Sequence, residues 1–224
     1  MKYTLIFFVL CASSVIGQKK TIGEFTSLII RDGLHVTLIK GETDEIVVVG
    51  ENKKGVSFQN KDGQFRINMK PFQTLHGIDA NIELFYTGKI NKIDVSRGAY
   101  LTAADTLQAE EIDIRSSKGA EIELILAANQ ANYSAKTGGK ILVKGVAEKQ
   151  HLHISTGGRV NAQHLLSKET TANILFWGSC DVQATSFFDL TTRFGGLARV
   201  HGKPLKTIHN KTLGGTILFT KTPE

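Results

Sequence analysis

Ile93-Asp94-Val95-Ser96-Arg97-Gly98-Ala99-Tyr100-Leu101 is answered 21 residues later by Ile114-Arg115-Ser116-Ser117-Lys118-Gly119-Ala120-Glu121-Ile122. Two further copies follow at intervals of 19, Tyr133 to Ile141 and Leu152 to Val160. Each copy alternates apolar and polar residues, turns at a glycine and resumes the alternation. Period two sends successive side chains to opposite faces of an extended chain. A unit of about nineteen residues cannot bury its own apolar face, so the copies must stack on one another. Anchored on the residue before a small side chain, the series runs Gly98, Gly119, Gly138, Gly157, Ser179, Leu197 and Gly214. The next position is small throughout: Ala99, Ala120, Gly139, Gly158, Cys180, Ala198 and Gly215. Three residues after the anchor stand Leu101, Ile122, Ile141, Val160, Val182, Val200 and Ile217, all aliphatic. The pattern predicts a parallel β-helix of about seven short coils over residues 90–220. At about 4.8 Å per strand the stack would be roughly 34 Å long.

Two more inward columns precede the anchor, one holding Ile93, Ile114 and Tyr133, the other Val95, Ile154, Phe176 and Phe194. Between the small and aliphatic columns lies a polar one: Tyr100, Glu121, Lys140, Arg159, Asp181, Arg199 and Thr216. It predicts a mixed-charge stripe along the rod. In the last copy His209 and Lys211 fall on inward columns. Either the register fails there or that coil is an exposed end, as terminal repeats often are.

Residues 25–89 read as an antiparallel strand region preceding the coils. Leu34, Val36 and Leu38 alternate with His35 and Thr37. Val56 and Phe58 pair plausibly with Phe65, Ile67 and Met69 across Lys61-Asp62-Gly63, a hairpin signal. Residues 70–79 read as a loop. Residues 1–17 read as a signal peptide: Lys2, an apolar run to Leu10, then small residues and an exit at Val15-Ile16-Gly17. The run is shorter than the ~20 residues needed to span a bilayer. Nothing after it is long and apolar enough to predict a transmembrane segment. A lipoprotein signal using Cys11 is the rival reading, and Leu10 sits where that processing wants a small residue. Once Cys11 is removed, Cys180 has no partner for a disulfide.

The copies resemble a family of Gram-negative envelope proteins known as "putative auto-transporter adhesin, head GIN domain". The resemblance rests on residues 93–99, on Ser116-Ser117-Lys118-Gly119-Ala120, on Thr137-Gly138-Gly139 and on Ser155-Thr156-Gly157-Gly158. Gly195-Gly196 leading to Val200-His201-Gly202-Lys203-Pro204 completes it. It covers residues 25–220 and implies a right-handed β-helix with an N-terminal strand region. It implies no chemistry. The copy holding Trp177 and Cys180 departs from the family's Gly-Gly or Gly-Ala form.

The residues point to binding and not to catalysis. The formal charge is +6, yet adjacent basic pairs occur only at Lys19-Lys20 and Lys53-Lys54. That dispersion argues against a nucleic-acid binder. No metalloprotease pair, phosphate loop, nucleophile elbow or cysteine zinc site is present, and no cofactor is implied. A polysaccharide-active enzyme of β-helix type is the alternative, and it needs converging carboxylates. Asp94 and Asp113 are the candidates, but stacking would place Arg115 and Lys92 beside them, which makes a surface ion-pair ladder. His151 and His153 share a face without an evident third ligand. The chain is therefore read as exported to the periplasm, the outer-membrane surface or the exterior, with a glycan or an envelope protein as partner. Its oligomeric state is left open. Candidate binding residues are Trp177, His153, Arg193, Arg159 and Arg199. Trp177 follows Phe176, which the columns place inward, so alternation turns the indole outward as a sugar-stacking platform. The opposing reading packs it beneath a loop or against the N-terminal strands. Cleavage after Gly17 predicts a mature chain beginning at Gln18. Mass spectrometry of the exported protein checks this, and a lipid on Cys11 is the contrary result.

Overall fold

A computed structural model describes residues 18–71 and 80–220. The signal-peptide reading and most of the loop read over 70–79 fall outside these residues. The structure is all-β apart from a short 3₁₀ turn at Lys53–Gly55. Its centre is four long parallel strands, β9 (Tyr100–Ser117), β10 (Glu121–Lys136), β11 (Lys140–Ser155) and β12 (Arg159–Leu175). Each is one coil. Leu101, Ile122, Ile141 and Val160 stand in register and are buried, as the alternation predicts.

The coils reverse at one sharp corner. Two consecutive residues there adopt positive φ: Lys118 and Gly119 at 54° and 72°, Thr137 and Gly138 at 50° and 72°, Thr156 and Gly157 at 50° and 73°. The third corner residue faces inward and must be small. A Cβ on Gly158 would lie 2.2 Å from the carbonyl oxygen of Ala135. Backbone hydrogen bonds continue through the corner: Gly119 N–H donates to the Thr137 carbonyl at 3.1 Å and Gly138 N–H to that of Thr156 at 3.1 Å. The turn is thus part of the ladder, and the third corner residue closes it, Gly139 N–H donating back to the Lys136 carbonyl at 3.0 Å.

Beyond Leu175 the coils divide into β13 (Ser179–Gln183), β14 (Phe187–Arg193), β15 (Leu197–His201), β16 (Lys206–Thr212) and β17 (Thr216–Thr220). Here the register differs from the expected one by two residues. Ser179 pairs with Arg159 and not with Gly157, while Leu197 pairs with Ser179 as the copies predict, so the two copies are displaced together. The corner residues are therefore Gly178 and Gly196, and Cys180 and Ala198 stand in the aliphatic column. Cys180 and Ala198 are small as well, so size alone could not choose. Space does: a Cβ on Gly178 would come within 2.4 Å of Ile154 Cγ2. A shift of two keeps the inward and outward faces and changes only the columns. As a result, the predicted charged stripe becomes two. Arg159 continues Glu121 and Lys140, while Arg199 follows Asp181 and Asn161.

The N-terminal strands also belong partly to the helix. β2 (Ser27–Ile30) pairs in parallel with β6 (Gln64–Met69) and β8 (Lys92–Ser96). β3 (His35–Lys40) pairs in parallel with β7 (Asn81–Tyr86) and β9. Asp32 and Gly33, at φ 67° and 70°, form the same corner as later coils. The antiparallel reading holds for β5 (Val56–Lys61) with β6 across Asp62-Gly63 and for β4 (Glu45–Val49) with β7, and β1 (Gln18–Thr21), ahead of the region so read, adds an antiparallel pairing with β4. Alternation reports faces and not neighbours, so parallel and antiparallel strands look alike in it. The antiparallel strands cover the first end of the stack.

At the other end the register holds. His209 lies opposite Leu190 and Lys211 opposite Thr192, both exposed because no described strand stacks beyond them. One continuous core runs from Phe25 to Val200, with Phe25, Phe65 and Phe188 its largest fully buried side chains. Within it, Ile141→Ala should cost about 2–5 kcal/mol by opening a cavity. Lys140→Ala, one residue earlier and outward, should change stability by less than about 0.5 kcal/mol. Denaturant titration of the two variants measures the difference, and equal effects would contradict the inward and outward assignment.

Candidate functional site at the aromatic corner

One corner breaks the rule that shapes the others. Its second residue is glycine at Gly33, Gly98, Gly119, Gly138, Gly157, Gly195 and Gly214, but Trp177, at φ 62°, in the copy between Gly157 and Gly195. Left-handed backbone costs an ordinary residue roughly 1–2 kcal/mol, and a bulky aromatic there is an outlier. Phe176, just before it, has φ 53°.

Local packing shows how the corner holds. The Phe176 ring stacks on Phe194 one coil on, with centroids 5.0 Å apart and planes 4° from parallel. The pyrrole edge of Trp177 lies against Gly195, where a Cβ would come within 2.3 Å of the indole Cδ1. Even so, Trp177 is 81% exposed. The indole is outward and does not pack beneath a loop. Phe176 and Phe194, expected on an inward column, are also exposed because the two-residue shift moves them from the strand into the turn.

Beside the indole is a shallow depression of about 520 Å³. Arg159 lies one coil back, Ser179 and Leu197 continue its row, Arg199 borders it, and Gly157 and Gly178 form part of its floor. Arg199 Nη1 donates to Asp181 at 3.3 and 3.5 Å. Arg159 is exposed and makes no ion pair among the described residues. Three of the five predicted residues, Trp177, Arg159 and Arg199, therefore meet here.

The other two do not. His153 stands between Ser134 and Asn173 and lines a separate depression of about 500 Å³ with Asp113, Arg115, Asn132 and His151. Partial burial, helped by nearby Lys136, lowers its pKa and favours the neutral ring. Arg193 is exposed opposite Leu175, on the strand that leads to the next corner, Phe194-Gly195, and lies outside the depression. Asp94 and Asp113 lie beside Arg115 and Lys92 in register, and the ion pair formed is Arg115 to Asp113 at 3.7 Å. Among the described residues no cluster of His, Cys, Asp and Glu could hold a metal.

The family model described as "Putative auto-transporter adhesin, head GIN domain" matches residues 24–204. The chain belongs to this family. Solved structures share the head GIN fold at low identity. A "putative adhesin" from Bacteroides fragilis is 16% identical with a TM-score of 0.79, over 93% of this chain and 98% of that one. A "putative lipid binding protein" from Parabacteroides distasonis is 12% identical with a TM-score of 0.73, over 92% and 96%. A "putative adhesin" from Parabacteroides merdae is 16% identical with a TM-score of 0.61, over 93% and 97%. No curated protein matches the chain. These descriptions name binding and adhesion and no enzymatic activity.

Cys180 is the thiol nearest this corner of the head GIN domain, and it points inward. It is fully buried, and burial first, then the charge of Asp181, pushes its pKa up to about 12. Native protein should resist thiol reagents at pH 8, and labelling should follow unfolding. The unfolded thiol ionises near its ordinary value while the folded one stays protonated. This thiol's contribution to stability is thus complete below the ordinary value and declines as pH rises toward 12. Comparing the pH dependence of unfolding for the wild type and Cys180→Ala checks this. Identical curves above pH 9, or rapid native labelling, would contradict it.

Proposed function

We propose that the mature chain is an exported envelope or surface protein that binds an extended ligand without chemistry, and that the corner at Trp177 is its contact point. The observation that carries this is a large aromatic placed on a left-handed position that seven other corners give to glycine. Strain of this kind persists where the surrounding structure enforces it, and it concentrates at functional sites. The indole is exposed, so burial does not offset the strain. A glycan suits the surface: an indole face meets the C–H face of a sugar ring, and polar neighbours reach its hydroxyls. The polysaccharide-enzyme reading is weaker, because Asp94 and Asp113, which line the second depression together, both lie beside Arg115, and Asp113 is paired with it at 3.7 Å.

Trp177 is the single tryptophan of the chain, so fluorescence reports this corner alone. Emission should lie at long wavelength and be quenched by acrylamide and iodide. Glycan-array ligands should shift it. Trp177→Gly should keep or raise thermal stability, because glycine suits the backbone there, yet lose the ligand. A stable Trp177→Gly protein that binds as well as the wild type would remove the corner from consideration.

A further inference from the structure

We infer that the ligand at this corner is an acidic glycan, with one ring stacked on Trp177 and a carboxylate or sulfate group held by Arg159. This rests on the corner being a contact surface, as argued above. Some outward cations of the coils are answered by acids on adjacent strands, Lys140 by Glu121 at 3.1 Å, Lys149 by Glu169 at 3.2 Å and Lys168 by Glu148 at 2.8 Å, while others, such as Lys118, Lys136 and Lys206, make no ion pair among the described residues. At the depression itself Arg199 is answered by Asp181 at 3.3 Å. Arg159 is the other cation lining the depression, and it has no such partner among the described residues. Its neighbours in register are Lys140, already paired, and Ser179, which carries no charge. The depression beside the exposed indole therefore holds one unanswered positive charge, and the group that complements it is negative.

Guanidinium chemistry narrows the choice. Its fork bonds a carboxylate or sulfate through two parallel N–H donors, which a neutral sugar cannot match. The shape of the corner favours a sugar over a lipid surface. Phe176 and Phe194 spend their inner faces on each other. The indole is laid against Gly195, which makes a platform and not a wedge. From Arg159 to Leu197 the depression crosses two strand spacings, about 10 Å, enough to engage more than one residue of a polymer.

The test titrates the mature protein with polygalacturonate, alginate and heparin, and with fully methyl-esterified polygalacturonate and dextran as uncharged controls. Polygalacturonate should bind roughly tenfold tighter than its ester, the value of one charge-assisted contact. Arg159→Gln should bring the two to equality, Trp177→Gly should lose both, and Lys140→Gln should change neither. Equal binding of acid and ester by the wild type, with loss in Trp177→Gly, overturns the acidic ligand and leaves the corner standing. Full binding by Trp177→Gly overturns the corner itself. Failure of all three acidic polymers overturns the inference, as does Trp177-dependent binding to phosphatidylglycerol vesicles alone.

Discussion

Each coil of this protein reverses within two residues, and both must take up positive φ while a third turns a nearly bare backbone inward. Everything else is arranged around that geometry. The corners fix where one coil lies upon the next, because their amides and carbonyls bond along the stack. Fixed corners set the register of the strands between them. The register then brings Leu101, Ile122, Ile141 and Val160 into one column and their polar neighbours into another. Hydrophobic burial supplies most of the stability, but the corner decides which residues are buried together.

Much of this was legible in the sequence, because alternation and a recurring glycine are local signals. The inward and outward faces of β9 to β12 follow from them. The register at Ser179 and Leu197 did not. Cys180 and Ala198 are as small as the residues expected at a corner, and a shift of two leaves the alternation intact. The clash that excludes a side chain at Gly178 comes from Ile154, a residue of the preceding coil. Similarly, the alternation of Leu34, Val36 and Leu38 shows a half-buried strand, but not that β7 and β9 are its parallel partners.

The same shift explains which parts of the candidate site could be seen. Outward exposure of Trp177 follows from parity and survives the shift. The Phe176–Phe194 stack does not follow, because it depends on both rings standing in the turn. Its signal was present all the same: where other copies read residue-glycine, this one reads Phe176-Trp177. Grouping His153 and Arg193 with the indole assumed that Trp177 lay on a strand. On a corner it meets Arg159 and Arg199 instead.

The exposed last coil has a consequence for the protein as an assembling object. A β-helix is in principle open-ended, since its final strands offer unpaired amides and carbonyls to any further strand. Here His209 and Lys211 sit where the next layer's interior would form. Another coil laid upon them would have to enclose that charge without a counter-ion, at a cost stacking does not recover. Composition thus opposes further stacking on the last described coil, and the final described repeat works against its own extension.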